Sequence, residues 1–297
     1  MNTFDEQTLR KLEQLALAAD RVRVGVMKGD RRSSKRGTAI EFADYRDYAK
    51  GDDLRRLDWN VMARLERPFI KLLEEEEDLA VHLLIDVSKS MDWPTNGEAD
   101  EQHKLHYALR LAGALGHIAL TTNDLLTVTR LGSRDDHRWG PFRGAGNSLR
   151  LFQFLDATQA DGITDLNLSL QNYALRGRRP GLLLLLSDLF SPNGFEAGIQ
   201  PLLARGYEIG IIHILSPDEV EPTAVGDLKL VDSETGQATE VTLDNATRDL
   251  YQSRLQSWQA DIATFCAARA IHYIPVTTNM PWDKLVLQTL RAKGVAK

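Results

Sequence analysis

Two apolar runs constrain the fold of this chain more than any other feature. The first covers residues 79–85, Leu-Ala-Val-His-Leu-Leu-Ile, and the second consists of five consecutive leucines at 182–186. Short runs of this kind, with little polar alternation, are typical of strands buried on both faces of a parallel sheet. They therefore favour an α/β domain over an all-helical or an all-β one.

From residue 79 onward, strand-like and helix-like segments alternate along the chain. Further strands are predicted at 125–129, 207–215 and 271–276, and helices at about 103–121, 147–157, 165–175, 194–204, 245–269 and 282–292. Strands separated by helix-length segments predict parallel pairing through right-handed crossovers, and so a mostly parallel sheet between helix layers. Segments 228–231 and 239–243 flank a Ser-Glu-Thr-Gly turn and predict an inserted hairpin.

The first 77 residues do not show this alternation of strand-like and helix-like segments. Residues 5–20 have the spacing of an amphipathic helix, and residues 28–37 form a basic stretch rich in small residues. Turns and short elements are expected over 41–58, and a strand over 67–73 before the acidic run 74–78. We expect segment 1–77 to pack against the main domain, residues 78–297, and not to form an independent domain.

Composition excludes several classes of function. The formal charge of −6 over 297 residues gives no electrostatic case for nucleic-acid binding. Cys266 is the only cysteine, so neither an internal disulfide nor a thiolate metal cluster can form. The polar N-terminus has no signal-peptide pattern, and no segment has the roughly 18 apolar residues that a membrane span needs. We expect a cytoplasmic protein.

Oxygen-bearing side chains follow both apolar runs. Asp86, Ser88 and Ser90 come directly after the first run, and Asp188 comes just after the second. Thr164 lies between them in Gly-Ile-Thr-Asp-Leu, ahead of a predicted helix. Ligand sites in open parallel sheets gather at the carboxyl ends of the strands. Carboxylates and hydroxyls without thiol or imidazole suit a hard cation, so we predict a site for Mg²⁺ or Mn²⁺.

Other interpretations of these residues stay open. Asp-x-Ser-x-Ser alone is a weak pattern because Asp and Ser cap helices in many proteins. A metal-dependent phosphohydrolase that uses Asp86 as its nucleophile is one alternative, although Ser88 stands where such enzymes have a second acid that protonates the leaving group. A purely structural cation is another. Trp93, just beyond the first loop, either lines the site or packs locally.

The three-loop pattern resembles the von Willebrand factor A-type domain and its metal-ion-dependent adhesion site. The resemblance covers about residues 78–297 and implies a von Willebrand A-like, Rossmann-like α/β fold. It also implies that a divalent cation is bound, with no ligand type missing, by Asp86, Ser88, Ser90, Thr164 and Asp188.

The N-terminal segment adds a resemblance to a more specific family. Residues 36–48, 51–60 and 63–64 resemble the signature of the "domain of unknown function 58" proteins, which look like partners of MoxR-type AAA+ ATPases. Many members have transmembrane helices ahead of this signature, whereas here only a short polar helix precedes it. The resemblance implies a non-catalytic adaptor that binds an acidic side chain of a MoxR-type ATPase, or of its client, through the cation.

Overall fold

The molecule, described here from a computed structural model, divides into two compact units. One unit is Arg23–Asp78, and the other joins Met1–Val22 to Leu79–Lys297. The structure describes residues 6–15, 17, 40–49, 57–75, 79–94, 102–132, 137–176, 179–224, 226–232 and 236–289. The predicted basic stretch at 28–37 lies outside these residues.

The described elements are as follows. The helices are α1 (Glu6–Leu12), α2 (Trp59–Leu65), α3 (Lys104–Thr121), α4 (Ser148–Asp156), α5 (Leu166–Leu175), α6 (Glu196–Ala204), α7 (Pro217–Val220), α8 (Asn245–Ala267) and α9 (Trp282–Lys284), which continues as a π-helical turn, Leu285–Thr289. The strands are β1 (Ile40–Asp47), β2 (Phe69–Glu75), β3 (Ala80–Asp86), β4 (Leu125–Leu131), β5 (His137–Phe142), β6 (Leu182–Ser187), β7 (Glu208–Leu215), β8 (Gly226–Val231), β9 (Ala238–Leu243) and β10 (His272–Thr277).

The larger unit is built on a six-stranded sheet with the order β10-β7-β6-β3-β4-β5. Neighbouring strands are parallel except at the edge, where β5 runs antiparallel to β4. The two apolar runs of the sequence form β3 and β6, which pair at the centre of the sheet with Ile85 opposite Leu186. The prediction of a mostly parallel sheet flanked by helices is confirmed.

Alternate residues of the central strands face two separate cores. On one side, Leu83 and Leu184 pack with α3, α4 and α1, and on the other side Leu84 and Leu185 pack with α5, α6 and α8. This two-sided burial is why both runs lack polar alternation, since each side chain of a parallel central strand meets a helix layer. Cys266 is buried in the second core.

The N-terminal helix α1 belongs to the larger unit. Leu12, Leu15 and Leu17 are buried in the core on the α3 side of the sheet. In the smaller unit, β1 pairs antiparallel with β2, and Asp58 caps α2 by accepting from the amides of Asn60 at 2.9 Å and Val61 at 3.2 Å. Whether segment 1–77 packs on the main domain as a whole stays a prediction.

Several predicted boundaries are wrong. The helix expected over 5–20 ends at Leu12, and the strand expected over 67–73 is β2, shifted by two residues. The turns and short elements expected over 41–58 include the strand β1, which begins at Ile40 and pairs with β2. The final helix becomes a π turn after Lys284, and residues 290–292 lie outside the described part.

Two elements of the larger unit were not predicted. β5 is an edge strand that pairs on one side only, so it needs no continuous apolar run, and only its Trp139 is buried. α7 is a single turn closed by a capping box between Ser216 and Glu219. The inserted hairpin is confirmed as β8 and β9, with Leu230 opposite Thr239.

No helix among the described residues is long and apolar enough to cross a membrane.

Candidate metal centre

The candidate site lies where the order of the strands reverses. From β3 the chain continues to β4 on one side, whereas from β6 it continues to β7 on the other side. In a doubly wound sheet, such a switch point opens a crevice beyond the carboxyl ends of the two strands. Asp86 is the last residue of β3, and Asp188 follows the last residue of β6.

The first loop turns its alternate residues toward one another. One carboxylate oxygen of Asp86 accepts from the amide of Ser88 at 3.0 Å, and the other accepts from the hydroxyl of Ser187 at 2.6 Å. A 3₁₀ turn at Lys89–Met91 then brings the hydroxyls of Ser88 and Ser90 within 3.0 Å of each other. Asp86 and Ser88 are buried, and Ser90 is half-buried. The spacing Asp-x-Ser-x-Ser therefore groups three oxygen-bearing side chains that could act as metal ligands.

The second loop is joined to the first by backbone hydrogen bonds. The amide of Lys89 donates to the carbonyl of Gly162 at 2.8 Å, and Gly162 adopts a left-handed φ of 61°. Thr164 is buried, and its hydroxyl donates to the carbonyl of Leu131 at 3.3 Å. Leu131 is the β4 partner of Asp86 in the sheet, so the threonine is held at the end of β3. Its oxygen lone pairs remain available to a cation.

The third loop turns sharply after Asp188. Leu189 has a left-handed φ of 60°, a strained conformation for a branched side chain, and the amide of Phe190 donates to Asp188 Oδ1 at 3.1 Å. The hydroxyl of Ser191 donates to the carbonyl of Thr164 at 3.2 Å, which ties the third loop to the second. The three loops thus form one hydrogen-bonded unit.

Burial and mutual repulsion act on the two carboxylates. Burial, and after it the neighbouring Asp188 carboxylate, together raise the pKa of Asp86 to about 6, against the hydrogen bonds from Ser187 and Ser88 that lower it. Both groups are almost inaccessible to water. A cation between them would relieve this cost.

A buried lysine lies between two carboxylates of the site. The ammonium of Lys104 donates to Asp188 Oδ2 at 2.8 Å and to Glu219 Oε1 at 2.5 Å, and its side chain is 0% exposed. Burial lowers the pKa of Lys104, but the Asp188 and Glu219 carboxylates outweigh burial and raise it above its ordinary value. With Asp86 and both of these carboxylates ionised, three negative groups face one ammonium.

Sequence reasoning missed Lys104 and Glu219. A usable pattern was present, because Lys104 lies on the same stripe of α3 as Ala108, Leu111 and Leu115, all of which are fully buried. A lysine on an apolar stripe needs an acidic partner. Glu219 stands in a Ser-x-x-Glu capping-box pattern, but nothing in that local pattern indicates its ion pair with Lys104, which depends on packing.

All five predicted ligand residues lie on these three loops, at the carboxyl ends of the central strands. Within the described part of the chain, no group of three or more His, Cys, Asp or Glu side chains is arranged to hold a metal. The candidate set consists instead of two carboxylates and three hydroxyls, which fits a hard cation and no soft one. Ligation of Mg²⁺ or Mn²⁺ by these residues stays a prediction.

Two curated mycobacterial proteins are similar to this chain over most of its length. Uncharacterized proteins of Mycobacterium bovis and Mycobacterium tuberculosis are each 26% identical to this chain over 284 residues, which cover 94% of this chain and 87% of the relative. Neither relative has a described activity.

Two solved structures are distantly similar to part of this chain. One is an aerotolerance-related membrane protein from Bacteroides fragilis, 14% identical, with a TM-score of 0.46 over 73% of this chain and 98% of that one. The other is the conserved hypothetical protein BatB from Bacteroides thetaiotaomicron, also 14% identical, with a TM-score of 0.44 over 72% of this chain and 98% of that one. Likenesses this distant carry no information on function.

Residues 44–261 match the family described as protein of unknown function DUF58. The match extends from β1 to α8 and includes all three loops of the candidate site. The chain therefore belongs to the DUF58 family.

Proposed function

We propose that this protein is a non-catalytic adaptor that binds a partner protein through a divalent cation. The observation that carries the proposal is the joining of three oxygen-bearing loops at the switch point of the sheet. Asp86, Ser88, Ser90, Thr164 and Asp188 are the residues that would hold Mg²⁺ or Mn²⁺. When bound, the ion would offer an open coordination position to an acidic side chain of the partner.

The charge of the site supports a divalent ion. If Asp86, Asp188 and Glu219 are ionised and Lys104 is protonated, these four groups carry a net charge of −2. Buried charge without a counter-ion is costly, so the site favours a cation of charge +2 over a monovalent one. The hydroxyls of Ser88, Ser90 and Thr164 add donors without adding charge.

The nature of the domain and of the partner is part of the same proposal. The Asp-x-Ser-x-Ser spacing, with Thr164 and Asp188 on the two following loops, supports a von Willebrand A-type domain with a metal-ion-dependent adhesion site. Membership of DUF58 supports a MoxR-type AAA+ ATPase, or its client, as the partner, because the resemblance of the N-terminal signature implies that association. A cytoplasmic location belongs to this proposal as well.

The arrangement disfavours the rival phosphohydrolase. Lys104, the one cation paired with Asp188 or Glu219 in the described contacts, is fully buried and already engaged by both carboxylates, so it cannot reach a phosphate ester. Ser88 offers a hydroxyl where a general acid would be needed. Hydrolysis of p-nitrophenyl phosphate that is lost in Asp86→Asn would overturn the proposal.

Affinity capture with identification of the bound proteins tests the adaptor role. Wild-type protein in Mg²⁺ should retain a AAA+ ATPase that EDTA releases, whereas Asp86→Ala and Ser88→Ala should not retain it. Asp92→Ala is the matched control, because Asp92 lies in the same region but pairs with Lys89 and His103 outside the ligand set. If both site variants fold and keep the ATPase at wild-type strength, the adaptor mechanism is wrong and the cation is structural.

A further inference from the structure

Large apolar side chains are exposed on each of the three candidate metal loops. Trp93 is 40% exposed beyond the first loop, Ile163 is 42% exposed on the second, and Phe190 is 39% exposed on the third. Among the described residues, only one other large apolar side chain outside the helices and strands, Met280, is exposed to this degree. Three of the four large apolar side chains that are exposed outside the described helices and strands therefore lie on the loops that hold the predicted ligands.

These three side chains, named here the rim, stand next to buried neighbours. Met91 and Leu189 belong to the same loops as Trp93 and Phe190 and are almost completely buried. The loops therefore do place apolar side chains inside the protein, and the rim residues are the ones directed outward. Because hydrogen bonds join the three loops, the rim residues belong to one region of the surface, and exposed apolar side chains grouped in this way are typical of a protein contact.

The rim residues are linked to the site through the backbone, and the ring of Phe190 is also fixed by side-chain contacts. The carbonyl of Trp93 accepts from the amide of Lys104 at 2.8 Å, and Ile163 directly precedes Thr164. The ring of Phe190 stacks on Trp258 with centroids 5.5 Å apart and lies 5.1 Å from the Lys104 ammonium. Preorganised apolar side chains cost little further entropy when a partner covers them.

We infer that the partner presents an acidic side chain flanked by large apolar residues. Its carboxylate would enter the open position of the cation, and its apolar flanks would cover Trp93, Ile163 and Phe190. This inference rests on the proposed function, because the cation supplies the charge that selects the acidic side chain. The rim then selects among acidic segments, since a carboxylate between polar residues would leave the rim in water.

Two fluorescent peptides with the same single glutamate test this inference. One has the sequence Gly-Leu-Glu-Leu-Gly and the other Gly-Ser-Glu-Ser-Gly, both with blocked termini, and binding is measured by fluorescence anisotropy in Mg²⁺ and in EDTA. The leucine peptide should bind roughly tenfold more tightly than the serine peptide in Mg²⁺. EDTA should abolish the binding of both.

Variants assign the preference to the rim. Trp93→Ser and Ile163→Ser should reduce the preference for the leucine peptide and leave the Mg²⁺ affinity unchanged, as measured by calorimetry. Leu175→Ser is the matched control, because Leu175 is 79% exposed at the last residue of α5, away from the three loops. A full preference retained in both rim variants would overturn the inference.

The remaining outcomes separate this inference from the proposed function. Equal, Mg²⁺-dependent binding of the two peptides contradicts the rim and leaves the cation-dependent adaptor standing. Binding that EDTA does not change contradicts the adaptor itself. Failure of both peptides to bind also overturns the inference, because the rim and the ion together should hold the leucine peptide.

Discussion

One strand of the sheet carries two buried ionisable side chains with opposite environments. His82 and Asp86 lie four residues apart on β3, so both point to the same face of the sheet. Inside the sheet, the ring nitrogens of His82 contact the Tyr173 hydroxyl at 2.7 Å and the carbonyl of Arg179 at 3.0 Å. Burial lowers the pKa of His82 to about 4, so this network is neutral at pH 7.

The environment of Asp86, at the end of the same strand, is equally buried but charged. Its neighbours are the Asp188 carboxylate and the hydroxyls of Ser187 and Ser88, and Asp188 in turn shares the Lys104 ammonium with Glu219. Burial of a polar group is therefore not what marks a functional site in this fold. The neutral network satisfies its own hydrogen bonds, whereas the buried negative charge at the strand end is what the proposed cation would balance.

Removal of Lys104 should have the largest effect on stability. Lys104→Met leaves Asp188 and Glu219 without their cation, which we expect to cost about 3–5 kcal/mol of unfolding free energy in EDTA. Urea unfolding in EDTA and in saturating Mg²⁺ measures this, and Mg²⁺ should restore more stability to the variant than to the wild type. Lys89→Met, which removes the exposed pair with Asp92, should change stability by less than about 1 kcal/mol. A loss of under 1 kcal/mol in Lys104→Met would contradict the account.

Acidification should weaken the neutral network. The folded-state pKa of His82 is about 4 against an ordinary value of 6.5, so below pH 6.5 the unfolded chain takes up a proton that the folded chain does not. Stability contributed by the neutral ring is complete above pH 6.5 and falls by about 3 kcal/mol by pH 4. Asp86, with a raised pKa, acts in the opposite direction, because its protonation on acidification favours the folded state.

The contribution of His82 is isolated by comparison with His82→Phe. Urea unfolding of the wild type and of the variant between pH 7 and pH 4 gives two curves, and their difference should change by about 3 kcal/mol over this range. Parallel curves would show that His82 takes up a proton as readily in the folded protein as in the unfolded chain, which would contradict a ring kept neutral by burial and remove the contrast with Asp86.

Substitution of the two tyrosines beside His82 tests the same network, with a smaller expected effect on stability. The hydroxyl of Tyr173 contacts His82, whereas the buried hydroxyl of Tyr207 has no hydrogen-bond partner among the described residues. Tyr173→Phe should cost about 1–3 kcal/mol, because it leaves a ring nitrogen unsatisfied, and Tyr207→Phe should be neutral or stabilising. Thermal unfolding of both variants at pH 7 measures the difference. Equal losses would mean that the hydroxyl of Tyr207 is also satisfied in the folded protein.

The sequence predicts the centre of this fold better than its edges, for a physical reason. β3 and β6 are buried on both faces, so their residues alone carry the pattern, and the ligand loops follow directly from where these strands end. β1 and β5 depend on a single neighbouring strand, and their sequences lack a comparable run. Lys104 and Glu219 come from distant parts of the chain and meet Asp188 only through packing, so no local spacing could have joined them.

Calorimetric titration of the purified protein with Mg²⁺ tests the central claim most directly. The wild type and Asp92→Asn should each bind one ion per chain with similar affinity, whereas the isosteric Asp86→Asn should bind more than about 100-fold more weakly, because a direct ligand matters more than the groups that support it. Far-ultraviolet circular dichroism confirms that all three are folded. Absence of Mg²⁺ and Mn²⁺ binding in the wild type, or unchanged binding in Asp86→Asn, would contradict the account.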